Sequence, residues 1–146
     1  QEVPITDERM TRFMISLDQG VKFVWQAFEN MIGGEIYVKK IPSMKIIDIA
    51  NVIAPKAKLK IIGIRPGEKL HEQMISSDDS YSTYEYSDYY KILPQIYEWG
   101  NDNFRIEGGK KVSENFNYSS DNNQDWMTKI DFQKWIEANQ KFINKI

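Results

Sequence analysis

Between Leu17 and Ile64 the spacing of apolar residues changes three times, and those changes fix the fold class. Leu17, Val21, Val24, Trp25 and Phe28 recur at a helical period, which predicts a helix over Leu17–Asn30. Ser16-Leu17-Asp18-Gln19 has the form of a capping box, and Gly33-Gly34 ends the helix, because glycine takes a left-handed backbone at little cost. Glu35-Ile36-Tyr37-Val38-Lys39 alternates and predicts a strand. Beyond Pro42, Ser43 is placed to cap a second helix with Ile46, Ile47, Ile49, Ala50 and Ile53 on its apolar face, ended by Pro55. Lys58 to Ile64 predicts a further strand. Helix, strand, helix, strand is the order of an α/β chain, and a strand–helix–strand crossover joins parallel strands. The expected architecture is a small, partly parallel sheet with flanking helices.

The rest of the pattern is weaker. Residues 1–15 read as a loop followed by an extended piece, Arg12 to Ile15. A short helix is expected through Leu70 and Met74, and strand character only from about Tyr89 to Leu93. Residues 100–125 read as irregular. Thr128 is placed to cap a last helix that holds Ile130, Trp135, Ile136 and Phe142. With 146 residues, 41% hydrophobic and 27% charged, the chain has the size and composition of one domain with a modest core. It starts at Gln1 without Met or a signal-peptide pattern, and reads as a piece of a longer chain.

Several chemistries are excluded by composition. There is no cysteine, hence no disulfide, thiolate nucleophile or thiolate zinc site. The one histidine, His71, rules out sites needing several imidazoles, and Ile75 stands where a zinc helix would need its second histidine. A structural, hydrogen-bonded role fits His71 better than that of a general base. No apolar run reaches membrane-spanning length, so no membrane partner is expected. A net charge of −2 argues against a dedicated nucleic-acid binder. Charge is uneven: residues 39–69 carry +6, against −3 before and −5 after. Such a basic middle either focuses an anionic ligand or is a solvated lysine-rich surface.

The segment with the most chemistry is Gly63-Ile64-Arg65-Pro66-Gly67-Glu68-Lys69-Leu70, directly after a predicted strand. Ligands of parallel α/β folds gather beyond the carboxyl ends of strands. Arg65 on a Pro-Gly turn is suited to grip a phosphate, because guanidinium presents donors in a fixed fork. Glu68 would accept hydrogen bonds from sugar hydroxyls or orient Arg65 by pairing with it. The alternative is a surface turn closed by an intrachain ion pair. Arg12, between Thr11 and Phe13, is either a second ligand clamp or a partner for a helix C-terminus or a carboxylate. The methionines read as core filler and the aromatics between Tyr81 and Tyr90 as packing or a stacking surface. Neither a glycine-rich dinucleotide loop nor a Tyr-x-x-x-Lys pair is present.

Pro4-Ile5-Thr6-Asp7, Met10-Thr11-Arg12-Phe13, Gly33-Gly34-Glu35-Ile36, Lys40-Ile41-Pro42-Ser43-Met44-Lys45 and Gly63-Ile64-Arg65-Pro66-Gly67-Glu68-Lys69-Leu70-His71-Glu72 form an ordered series. It resembles the C-terminal part of inverting UDP-N-acetylglucosamine 4,6-dehydratases, in the extended short-chain dehydrogenase/reductase superfamily. Tyr118-Ser119-Ser120-Asp121-Asn122-Asn123 and Trp126 extend the likeness over essentially the whole chain. The resemblance implies that residues 1–146 form the substrate-binding domain of an extended Rossmann-type sugar-nucleotide enzyme. An NADP-binding Rossmann domain with the catalytic residues would lie outside this chain, and its removal would bare an apolar interdomain face. The implied reaction makes a 4-keto-6-deoxy sugar with C5 inverted, for flagellin or surface-glycan modification. It further implies a UDP-sugar substrate, NADP and no metal, and a cytoplasmic homo-oligomer as the full-length enzyme. Arg65, Glu68 and Arg12 would bind substrate, and this piece alone would be inactive. The retaining, membrane-anchored relatives share Arg-Pro-Gly-Glu-Lys-Leu but commonly carry Tyr at the position of His71, which favours the inverting branch. The competing expectation is a stand-alone, non-catalytic sugar-nucleotide-binding or assembly module.

Overall fold

Ten short strands and four α-helices make up the described residues, 2–94 and 103–143, of the computed structural model. The first half runs β1 (Glu2–Ile5), β2 (Thr11–Phe13), α1 (Leu17–Asn30), β3 (Ile36–Lys39), β4 (Ser43–Lys45), α2 (Ile46–Ile53) and β5 (Lys58–Ile61). Then follow β6 (Gln73–Ile75), a 3-10 turn (Asp78–Ser82), β7 (Thr83–Glu85), β8 (Tyr89–Ile92), α3 (Asn103–Ile106), β9 (Lys110–Lys111), β10 (Tyr118–Ser119) and α4 (Lys129–Ile143). The chain divides into two compact units: Gln1–Ser16 with Ile41–Glu72 and Ser120–Ile146, and Leu17–Lys40 with Gln73–Ser119. Among the described residues no helix is long and apolar enough to cross a membrane.

In the first unit β1 pairs with β5 in parallel, Glu2 opposite Lys58 through Ile5 opposite Ile61. This corrects two expectations. The start of the chain is a strand rather than a loop, and the parallel partner of the 58–61 strand is β1 rather than β3. Pro4 disguises β1, yet a strand with one partner tolerates a residue without an N–H. β2 pairs antiparallel with β4, Arg12 opposite Met44. Ser43 therefore lies in a strand and caps no helix. It is fully buried; its N–H donates to Asp125 O, its carbonyl accepts the Met127 N–H, and its hydroxyl accepts from the Asn123 amide. Helix α2 starts three residues later than Ser43, where the Met10 carbonyl takes the Ile46 N–H. Ile5, Met10, Ile41, Met44 and Phe132 form this unit's core. Thr128 caps α4 as expected: Asp131 N–H donates to Thr128 Oγ1 at 3.1 Å, and the hydroxyl donates back to the Asp131 carboxylate at 2.5 Å. The helix expected through Leu70 and Met74 is absent. The carbonyls of Lys69, Leu70 and Glu72 are taken by other segments, and Gln73–Ile75 is a strand.

The second unit holds an antiparallel sheet in the order β3-β8-β7-β9 and a pair, β6 with β10. The sheet starts in register at Ile36 opposite Ile92. Most aromatics here pack. The Tyr90 ring lies 5.1 Å from Phe116 and 5.2 Å from Tyr118, and Tyr86 stacks on Tyr89 at 4.6 Å. Helix α1 has the expected bounds, but none of its residues is buried. Leu17 is 79% exposed, Trp25 64% and Phe28 62%.

A charged cluster is buried in this unit. Arg105 Nη1 donates to Glu35 Oε1 and to the Gly33 carbonyl, both at 2.8 Å, and Lys91 Nζ donates to the Arg105 carbonyl at 2.9 Å. Burial of Glu35 raises its pKa, but the N–H groups of Gly33, Glu35 and Ile32 and the Arg105 guanidinium outweigh it and hold the carboxyl below the usual range. A depressed carboxyl stabilises the fold above its unfolded pKa of about 4.3, and that contribution is lost as pH falls through the folded value. Arg105→Met leaves Glu35 buried without its cation, and is expected to cost about 3–5 kcal/mol in urea unfolding at pH 7. Glu35→Gln is expected to flatten the acid limb of the stability curve. Wild-type stability in Arg105→Met would contradict this assignment.

Candidate functional site

Where β5 ends, the Ile62 N–H still reaches the Ile5 carbonyl, and the chain then leaves the sheet. Arg65-Pro66-Gly67-Glu68 makes a tight turn. Pro66 in second place, Gly67 at φ +81° in third and a 3.0 Å bond from Glu68 N–H to Arg65 O are the marks of a type II turn. The Glu68 carboxylate braces it: one oxygen accepts the Arg65 N–H at 3.3 Å, the other the Thr6 hydroxyl at 3.2 Å. Glu68 thus holds Arg65 by its backbone. A side-chain pair between them, one of the two roles open to Glu68 from the sequence, is absent. The Arg65 side chain is exposed, and among the described residues its guanidinium has no hydrogen-bond or ion-pair partner.

The chain from Lys69 to Glu72 is tied to β2. Arg12 Nη2 donates to Lys69 O at 3.0 Å, and Nη1 donates to Leu70 O at 3.2 Å and to Thr11 O at 2.7 Å. Its Nε lies 3.5 Å from the Glu72 carboxylate. The Thr11 N–H donates to Leu70 O at 3.2 Å. Thr11 Oγ1 lies 2.8 Å from His71 Nδ1 and 2.6 Å from Ser120 Oγ. Glu72 N–H donates to Ser120 Oγ at 2.9 Å, and Ser120 N–H to Glu72 O at 2.8 Å. His71 is therefore hydrogen-bonded inside the unit, with Nε2 4.0 Å from Asp121. Arg12 and Arg65 flank one segment in different states: most of Arg12's donors are engaged, and Arg65's are free.

The sequence did not reveal Thr6, Thr11 or Ser120. Their roles come from contacts across 62, 60 and 109 positions of chain, which no local pattern encodes. Several lysines of the basic middle lie away from the turn. Lys39 faces Asp88 and Lys40 faces Glu85 in the second unit, while Lys60 lies exposed on β5, 3.9 Å from Glu2. Ahead of β2, Arg9 grips Asp7 through two side-chain bonds and a backbone bond, which hold the Asp7 carboxyl down to about 2. A cleft of about 550 Å³ opens in the same unit, with Lys45, His71, Asp121 and Trp126 on its walls. No cluster of three or more metal-ligating side chains occurs among the described residues.

Residues 1–94 match the family described as polysaccharide biosynthesis protein. An inverting UDP-N-acetylglucosamine 4,6-dehydratase of Campylobacter jejuni is 55% identical over 97% of this chain, and a second from that species is 53% identical over the same share. The chain spans 44% of the length of each. A UDP-glucose 4-epimerase of Rickettsia canadensis is 36% identical over 84% of the chain and 37% of its own length. Among solved structures, Pen from Bacillus thuringiensis superposes with a TM-score of 0.78 at 26% identity, covering 95% of this chain and 42% of its own.

The turn makes a direct demand on one residue. Gly67 sits in the left-handed region, with no atom within 4 Å of where a Cβ would stand. Gly67→Ala is therefore expected to cost about 1–2 kcal/mol from backbone strain alone, read in urea unfolding. An unchanged unfolding midpoint would contradict the type II geometry.

Proposed function

The chain belongs to the polysaccharide biosynthesis protein family, and from that premise we propose that it is the UDP-sugar-binding part of a nucleotide-sugar 4,6-dehydratase acting on UDP-N-acetylglucosamine. One observation carries the reading: an exposed arginine whose side chain has no partner among the described residues, on a type II turn braced by Glu68. A diphosphate offers oxygens on two phosphoryl groups, and a planar guanidinium donates two parallel bonds to such a group. Holding Arg65 by its backbone, through Glu68, leaves the whole guanidinium for that task. The Glu68 oxygens each keep a lone pair beyond the bonds to Thr6 and Arg65, and so can accept from a hydroxyl of the ligand. Arg12 contributes positive charge beside the turn and the one Nη2 hydrogen it does not spend on Lys69.

The parent enzyme is proposed to use NADP, which when bound would take up a hydride from the sugar and return it. The residues present do not fit a dinucleotide. A dinucleotide phosphate loop needs glycines between a strand and a helix. Here Gly33 and Gly34 follow a helix and precede a strand, while Gly63 and Gly67 lead to no helix. NADP is therefore assigned to the part of the parent outside this chain. The exposed apolar face of α1, with Val21, Val24, Trp25 and Phe28, supports such a remainder, since monomeric proteins rarely leave a large apolar patch bare.

In the parent enzyme, Arg65→Lys keeps the charge and removes the fork. UDP affinity is expected to fall about tenfold or more in calorimetric titration, the loss of one charge-assisted bond, with NADP affinity little changed. Glu68→Gln should lose less. Unchanged UDP affinity in a folded Arg65→Lys variant would make the turn structural and remove the assignment. This chain alone, given NADP and UDP-N-acetylglucosamine, is expected to form no 4-keto sugar; sustained turnover would contradict the division of the enzyme proposed here.

A further inference from the structure

We infer that Thr11, His71 and Ser120 form a positioning node for the arm that carries Arg65, residues 64–72, an inference that rests on the diphosphate-binding role of that arm. The three side chains come from β2, from the arm's far end and from the residue after β10, and meet at one hydroxyl. Thr11 is 3% exposed and Ser120 fully buried, so neither touches a ligand. Their bonds end on His71 and on the Glu72 N–H, where the arm rejoins the body of the unit.

The directions of these bonds follow from the neighbours. With its proton on Nε2, His71 turns an N–H toward the Asp121 carboxylate, 4.0 Å away, and leaves Nδ1 as an acceptor. Thr11 Oγ1 then donates to His71 Nδ1, Ser120 Oγ donates to Thr11 Oγ1 at 2.6 Å with the Thr11 carbonyl as a second, longer acceptor at 3.2 Å, and Glu72 N–H donates to Ser120 Oγ. Every buried hydroxyl is both donor and acceptor in this chain. The opposite tautomer would aim a lone pair at the carboxylate. A network satisfied throughout rigidifies what it holds, and loss of one member strands the others.

The arm is thus held at three places. Glu68 closes the turn, Arg12 holds the carbonyls of Lys69 and Leu70, and the node holds His71 and Glu72. Of these three, the node alone includes buried side chains, Thr11 and Ser120, which allows it to be tested at Thr11 apart from ligand contact. Thr11→Val deletes the central hydroxyl while keeping volume and the backbone bonds of residue 11.

The test is a double-mutant cycle in the parent enzyme, read by UDP titration, with amide exchange over residues 64–72. Thr11→Val is expected to weaken UDP binding about fivefold, as for one lost hydrogen bond, and Thr11→Ser to stay within about twofold of wild type. In an Arg65→Ala background, Thr11→Val should then add almost nothing, because the node acts through that arm. Amides over 64–72 should exchange faster in Thr11→Val and normally in Thr11→Ser. Effects of Thr11→Val and Arg65→Ala that multiply, or wild-type affinity in Thr11→Val, would overturn the inference. If Arg65→Ala itself leaves UDP affinity unchanged, the diphosphate role fails instead. Exchange then decides the node alone: faster amides in Thr11→Val uphold it, and unchanged amides refute it.

Discussion

Two adjacent residues of β2 hold the segment on which the site is built. Thr11 and Arg12 send three bonds to the carbonyls of Lys69 and Leu70, and Thr11 adds a fourth contact through His71. Each of these carbonyls would otherwise have to find water or begin a helix. With them satisfied, the chain from 69 to 72 is fixed without regular secondary structure, and the turn before it projects from a firm base. β2 is itself fixed by antiparallel pairing with β4 and by Met10 and Met44, both almost fully buried. The rigidity of an irregular loop thus derives from a three-residue strand.

This arrangement divides labour between two arginines. An exposed cation gains little from an exposed partner, because water screens the pair and ordering two long side chains costs entropy. Binding strength at such a site depends on how little motion remains to be lost when the ligand arrives. Arg12 is engaged in holding backbone, and Arg65 is left free at the end of what Arg12 holds. Several lysines of the basic middle have no part in this. Lys39 and Lys40 have acidic partners in the other unit, and Lys60 faces solvent on the sheet.

Periodic features were legible from the residues alone. The helix over Leu17–Asn30, the Thr128 cap, the strand near Tyr89 and the Pro-Gly turn each depend on residues within a few positions of one another. Features set by distant contacts were not. Ser43 looks like a helix cap, but its hydroxyl meets Asn123, 80 positions on, and burial in β4 excludes it from that role. The parallel partner of β5 is not legible in the sequence, because Pro4 hides β1 and periodicity identifies a strand without naming its neighbour. Leu70 and Met74 have helical spacing, yet the Leu70 and Glu72 carbonyls are claimed from outside and Gln73–Ile75 is a strand. At the site, Arg65 and Glu68 stood out by turn chemistry, whereas Thr6, Thr11 and Ser120 are visible only once the chain is folded.

The central claim is that the turn is built for a diphosphate rather than for a base, a sugar or diffuse negative charge. The most direct measurement compares UDP with uridine in calorimetric titration against the parent enzyme and its Arg65→Ala variant. The account predicts that UDP binds the parent at least about tenfold more tightly than uridine, and that most of this preference disappears with Arg65. A preference for UDP that survives intact in the Arg65→Ala variant would contradict it.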